Sequence, residues 1–124
     1  MLKAQAALAE QGFCILLPLT EHSPFDLVVY KDNRFRRVQV KYRSSRNGVL
    51  EIPFSSAWAD KKGNHVVPWD KAEVDIVCVY CPETDVCYYF DPSKFGKSVR
   101  LRVSAPKNNQ KVNVKMADDY REVP

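Results

Sequence analysis

The stretch from Phe25 to Tyr42 constrains the fold more than any other part of the chain. It holds two runs of alternating side chains, Phe25 to Tyr30 and Arg36 to Tyr42, around the turn residues Lys31-Asp32-Asn33. Residues two apart on a strand share a face, and two such runs joined by a short polar turn predict an antiparallel hairpin. Phe25, Leu27 and Val29 then lie on one face, as do Val38, Val40 and Tyr42 on the second strand. The opposite, polar face carries Asp26 on the first strand and Arg37, Gln39 and Lys41 on the second.

The remaining elements fall into place around this hairpin. Leu2 to Gln11 has the Ala, Leu and Gln content of a helix, with Gly12 as its C-terminal cap. Phe13 to Leu17 reads as a short strand and Pro18 to Pro24 as a loop. Asn47-Gly48, a strong hairpin signal, introduces a strand at Val49 to Phe54. Ala59 to Asp70 is polar and reads as loop, with at most a short helical turn. Val74 to Tyr80 and Val86 to Phe90 form a second hairpin around Pro82-Glu83-Thr84-Asp85. A short helix at Pro92 to Phe95, a last strand at Val99 to Val103 and a helical turn at Ala117 to Tyr120 complete the reading. One helix followed by a run of strands is an α+β order. At 124 residues, and with no repeat or linker, the expectation is one domain over residues 1–124.

No run approaches the roughly 20 apolar residues of a membrane helix, and the start Met1-Leu2-Lys3-Ala4 lacks the pattern of a secretion signal. A cytoplasmic protein without a membrane partner is expected. The cysteines Cys14, Cys78, Cys81 and Cys87 include one Cys-x-x-Cys pair with zinc-ligand spacing. Its first member lies inside an apolar strand, where Cys packs as a small hydrophobe. Cys81 and Cys87 flank the hairpin turn and are placed opposite each other across it. A zinc-stabilised interaction module is therefore a minor alternative.

On the residues alone, the Asp26, Gln39 and Lys41 group is open to two readings, a solvated cross-strand ion pair or a chemical site. The order of residues adds something. Pro24-Phe25-Asp26 precedes one strand and Gln39-Val40-Lys41 follows thirteen residues later on the next. This resembles the PD-(D/E)XK endonuclease superfamily, with Gln where an acid is usual. Gly12-Phe13, Pro18-Leu19 to Val29, the second hairpin, Pro106 to Gln110 and Ala117 to Tyr120 extend the likeness along nearly the whole chain. They resemble the branch that includes group I intron-encoded homing endonucleases, which carry the same Gln variant. The resemblance implies a restriction-endonuclease-like core, a mixed central β-sheet with a flanking N-terminal helix. It implies metal-dependent hydrolysis of double-stranded DNA, with Asp26, Gln39 and the Val40 carbonyl holding Mg²⁺ (or Mn²⁺ in its place) and Lys41 as the catalytic cation. Hard oxygen ligands suit Mg²⁺, and phosphodiester hydrolysis needs charge stabilisation at the phosphate.

One departure stands out. The family places a Glu early in its first helix, whereas Leu2 stands at roughly that position and the only acid before Gly12 is Glu10, in the last turn. Glu10 and Glu21 are the substitutes considered. A nuclease-like fold that binds DNA without cutting it is the alternative this motivates, and a repair or junction nuclease would share the same motifs.

The formal net charge is +4, but its distribution says more than its size. Between Lys31 and Arg46 seven basic residues face one acid, and between Lys94 and Lys115 seven face none. Segregated positive charge is what phosphate contacts require. Arg37, Arg43, Arg46, Arg100, Arg102 and Lys107 are the predicted DNA contacts. Phe54 is read as core, while Trp58 and Trp69 stay open between stacking, interface and core. Recognition of a long site by so small a chain implies a homo-oligomer, a dimer or tetramer, on symmetric half-sites.

Overall fold

The structure, a computed structural model, describes residues 1–104 and 114–124. In chain order it contains helix α1 (Leu2–Glu10) and strands β1 (Cys14–Leu16), β2 (Leu27–Lys31), β3 (Arg34–Tyr42), β4 (Val49–Pro53), β5 (Ser55–Asp60), β6 (Gly63–Pro68), β7 (Ile76–Cys81), β8 (Val86–Phe90) and β9 (Ser98–Arg102). Short 3-10 turns occupy Lys71–Glu73, Pro92–Lys94 and Ala117–Tyr120. The architecture is α+β, as the order of elements predicts, with the mixed central sheet that the resemblance implies.

The central sheet has five strands in the order β1-β2-β3-β7-β8. Its neighbours pair antiparallel except β3 and β7, which run parallel. A parallel pair needs a long crossover, and here it is the segment holding β4, β5, β6 and the turn at Lys71–Glu73. The β2–β3 hairpin closes through Asp32 and Asn33, both with left-handed φ of 54° and 62°. That matches the two-residue turn preferred between twisted strands.

Strand alternation puts one core on each face of the sheet. On one face α1 lays Ala4 and Leu8 over Leu27, Val29, Val38, Ile76, Cys78 and Tyr89. On the other, Val77, Val79, Tyr88 and Phe90 meet Leu50, Ile52, Val99 and Leu101, contributed by the separate β4–β9 ribbon. Fully burying an aliphatic side chain contributes about 1.5–3 kcal/mol, so both layers are needed to hold β7 and β8.

The parallel junction is fastened by a partly exposed ion pair. Arg37 donates from Nε and Nη2 to the two carboxylate oxygens of Asp75, each at 3.0 Å, and its own N–H reaches Asp75 Oδ2 at 2.7 Å. Asp75 N–H returns a bond to Arg37 O at 3.0 Å. Arg37 Nη2 also donates to Ala72 O at 2.9 Å. The Arg37 guanidinium holds the Asp75 carboxyl below its usual pKa, against the opposing effect of partial burial.

Three expectations are corrected. Ala59 to Asp70 is not a loop: residues 55–68 form the β5–β6 hairpin, turning at Lys61-Lys62. Nearly all its residues are exposed, so it carries no buried alternating face from which a strand could be read. Asn47-Gly48 does make a tight turn, with Arg46 and Val49 exchanging backbone bonds at 2.8 and 2.9 Å. The strand it introduces nevertheless pairs with β9, not with β3. A side chain at Gly48 would meet Ser104 Oγ at 2.0 Å, and its φ is +75°, so only glycine fits there. Cys81 is placed beside Val86, and Cys87 beside Tyr80. Cys78 and Cys81 are three apart on one strand and face opposite cores, which prevents them from sharing a metal. No helix among the described residues is long and apolar enough to cross a membrane.

Leu27→Ala removes a fully buried side chain under α1 and is expected to lower stability by about 2–5 kcal/mol in urea denaturation. Leu19→Ala, at a fully exposed position, should change it by less than about 0.5 kcal/mol. The depressed Asp75 pKa contributes stability that is present above the unfolded carboxyl value, near 4, and is lost as pH falls through the lower folded value. Urea midpoints measured downward from pH 5 should show this loss in wild type, with a smaller pH dependence in Asp75→Asn.

Candidate active site

Asp26 stands one residue before β2, where its N–H donates to Val38 O at 2.9 Å and fixes the register of the hairpin. Its half-buried carboxylate turns across the strand end. Oδ2 accepts from Gln39 Nε2 at 3.1 Å and from the Val40 N–H at 2.8 Å. The N–H and C=O of one strand residue point to the same edge, so the Val40 carbonyl also lies on the Asp26 side. The β2 ladder begins at Leu27 opposite Val38, which leaves Val40 beyond its end. Asp26 and Gln39 thus come together on the face that the alternation assigns them, and the Val40 backbone joins them from the strand edge. Gln39, by donating its amide, steadies the carboxylate and keeps Oε1 as an acceptor.

Two recesses flank this group. One, of about 380 Å³, is lined by Asp26 together with Met1, Gln5, His22 and Phe25. The other, of about 230 Å³, is lined by Gln39, Ser56, Trp69, Asp70 and Glu73. The end of α1 that approaches Asp26 brings Met1 and Gln5, and its first turn holds no acid. Glu10 sits at the far end of the helix and is exposed, as is Glu21. Neither substitute lines the Asp26 recess. Among the described residues no three His, Cys, Asp or Glu side chains cluster tightly enough to hold a metal by themselves.

Lys41 shares the face of Gln39, yet its ammonium is committed elsewhere than Asp26. Nζ donates to Pro53 O at 3.2 Å and to Ser55 O at 3.1 Å, and lies 4.4 Å from the centroid of the Trp69 ring. Burial, with Arg43 adding like charge, pushes its pKa down. Sequence reasoning misses this cradle. The β4–β5 junction that supplies the carbonyls carries no alternating pattern beyond Phe54, and no spacing rule ties Trp69 to Lys41.

The predicted DNA contacts divide. Arg43, Arg46, Arg100 and Arg102 meet around a concavity of about 610 Å³, where Glu51 is the one acid among the described residues that line it. Arg43 Nε is held by Glu51 O at 3.1 Å and Arg102 Nε by Ser104 O at 3.3 Å. Strands β4 and β9 bring them together, because Arg100 pairs with Glu51 and Arg102 with Val49. Arg37 is taken up by Asp75. Lys107 and the segment Pro106 to Gln110 lie outside the described residues.

Among solved structures, that of the bacterial homing endonuclease I-Ssp6803I is similar, with a TM-score of 0.71 at 23% identity, over 95% of this chain and 83% of that one. At this identity the likeness establishes a shared fold. A search of curated proteins finds no match. The family model described as PD-(D/E)XK endonuclease matches residues 1–123. The match spans nearly the whole chain, and the chain therefore belongs to the PD-(D/E)XK endonuclease family.

Proposed function

We propose that the chain is a metal-dependent endonuclease that hydrolyses phosphodiester bonds of double-stranded DNA. The observation that carries this reading is the Asp26 carboxylate, anchored by Gln39 Nε2 and Val40 N–H, on the same strand edge as the Val40 carbonyl. Such a set of one carboxylate and neutral oxygens fits Mg²⁺, which binds through one or two carboxylates plus substrate phosphates; Mn²⁺ would substitute. Asp26, Gln39 Oε1 and Val40 O would hold it. When bound, the ion supplies Lewis acidity at the phosphate and a more acidic water.

The chain's own groups do the rest. Lys41 keeps a cation two residues from Gln39 on the same strand face, where negative charge grows at a scissile phosphate. The four arginines of the β4–β9 face supply phosphate contacts that carry the duplex. The likeness to a homing endonuclease supports cutting at a defined site, and twofold-symmetric half-sites would call for a homo-oligomer. The absence of an acid in the first turn of α1 favours one second reading, a nuclease fold that binds duplex DNA and does not cut it.

A plasmid library with random inserts, digested in Mg²⁺ or Mn²⁺ and sequenced at its new ends, tests cleavage directly. Asp26→Ala should abolish cutting, and Lys41→Ala should lower kcat by about 10²–10³-fold, with unchanged circular dichroism. Normal cutting by both variants would sink the assignment. Calorimetric metal titration should show binding in wild type that is lost in Asp26→Ala; tight DNA binding without metal uptake or cutting would establish the second reading. Duplex affinity measured against salt should lose about 0.9 from its log–log slope for each arginine that contacts a phosphate. Arg46→Ala and Arg100→Ala are expected to do this, whereas Arg37→Ala should lower stability and leave the slope unchanged.

A further inference from the structure

The sequence assigns Trp69 no role, and its surroundings give it one. It follows β6 directly, and Phe54 directly precedes β5, so the two residues meet at the root of the β5–β6 hairpin. The Trp69 N–H donates to Phe54 O at 2.9 Å. Its ring packs on Phe54 at 6.0 Å between centroids, and its Nε1 donates to Ser56 Oγ at 3.0 Å. The indole is therefore held by a backbone bond, a side-chain bond and an aromatic contact at once.

That fixed ring faces Lys41. Along an extended chain successive carbonyls alternate in direction, so Phe54 O turns to Trp69 while Pro53 O and Ser55 O turn the other way, to Lys41 Nζ. The ammonium has three N–H donors, of which two go to these carbonyls. At 4.4 Å from the ring centroid the cation is within the range where an aromatic face attracts it. The same ring lines the recess shared with Gln39.

We propose that Trp69 is a positioning residue for Lys41: its ring, anchored through Ser56 and Phe54, fixes the ammonium beside the site and leaves one donor for substrate. The proposal deepens the nuclease reading and rests on it. Trp69 touches no reacting atom, so its loss should act on kcat through Lys41 and spare duplex binding.

The test uses the duplex site recovered from the plasmid library. Trp69→Leu, which keeps bulk but loses the aromatic face, should lower kcat by roughly 2- to 30-fold with KM unchanged. Trp69→Phe, which keeps a face, should stay within about threefold of wild type, and Ser56→Ala should fall between the two. A second readout needs no cleavage. In a Trp58→Phe background Trp69 is the sole indole, and Lys41→Met should shift its emission maximum while Lys41→Arg shifts it less. An unchanged kcat in Trp69→Leu, an equal loss in Trp69→Phe, or emission insensitive to Lys41→Met would each overturn the proposal. Should Trp69→Leu fail to fold, a kcat equal to wild type in Ser56→Ala would overturn it instead. A wild-type protein that cuts no duplex would bring down the nuclease reading, an outcome distinct from an active enzyme indifferent to Trp69.

Discussion

Strand β3 is the constraint on which the rest of the molecule depends. It lies at the centre of the five-stranded sheet and pairs antiparallel on one side, with β2, and parallel on the other, with β7. Its period of two assigns Val38 to the core under α1 and places Gln39 and Lys41 on the face shared with Val77 and Val79 of β7, by register. A slip of one residue would exchange the faces, bury charge under the helix and dissolve the site. The Asp75 carboxylate, held by the Arg37 guanidinium and backbone, marks where the parallel pairing starts. A fold-defining contact and a candidate site thus sit on neighbouring residues of a single strand.

The candidate site combines two different solutions to keeping polar groups at the edge of a core. Asp26 has its Oδ2 satisfied by an amide and a backbone N–H, which fixes its orientation and leaves acceptor capacity for a cation. Lys41 has its half-buried ammonium satisfied by two carbonyls and an aromatic face, which offset the cost of removing a charge from water. Because those carbonyls belong to the β4–β5 junction, the placement of Lys41 depends on the ribbon that completes the second core. The basic groove uses the same ribbon, with Arg100 and Arg102 on β9 and Arg43 just past β3.

Much of this architecture is legible in the order of residues. The first hairpin, the helix, the second hairpin and the α+β order follow from alternation, helix formers and turn chemistry, all local properties. Asp26 and Gln39 share a face because of the period-two pattern, whereas the two-residue turn that sets their register and the Val40 N–H on the carboxylate emerge only in the structure. The β5–β6 hairpin is not legible: its residues are exposed on both faces, so burial imposes no pattern on them. The fate of Arg37 is equally hidden, since its partner Asp75 lies 38 residues away and no local rule brings them together. Cys81 and Cys87 are misplaced by the one-residue uncertainty of a turn boundary, which is enough to send a side chain to the opposite core.

Residue order alone determines the face of β3 on which Gln39 and Lys41 of the candidate site lie, because side-chain direction along a strand is fixed by backbone geometry. It also settles the charge segregation behind the basic groove. Which cations are free to act is a tertiary outcome: Arg37 is held by Asp75, four arginines converge on the β4–β9 face, and Lys41 turns from Asp26 to Pro53 O, Ser55 O and Trp69. Those outcomes turn on contacts between segments distant along the chain, set by how two cores close over one sheet, and composition and spacing do not encode them.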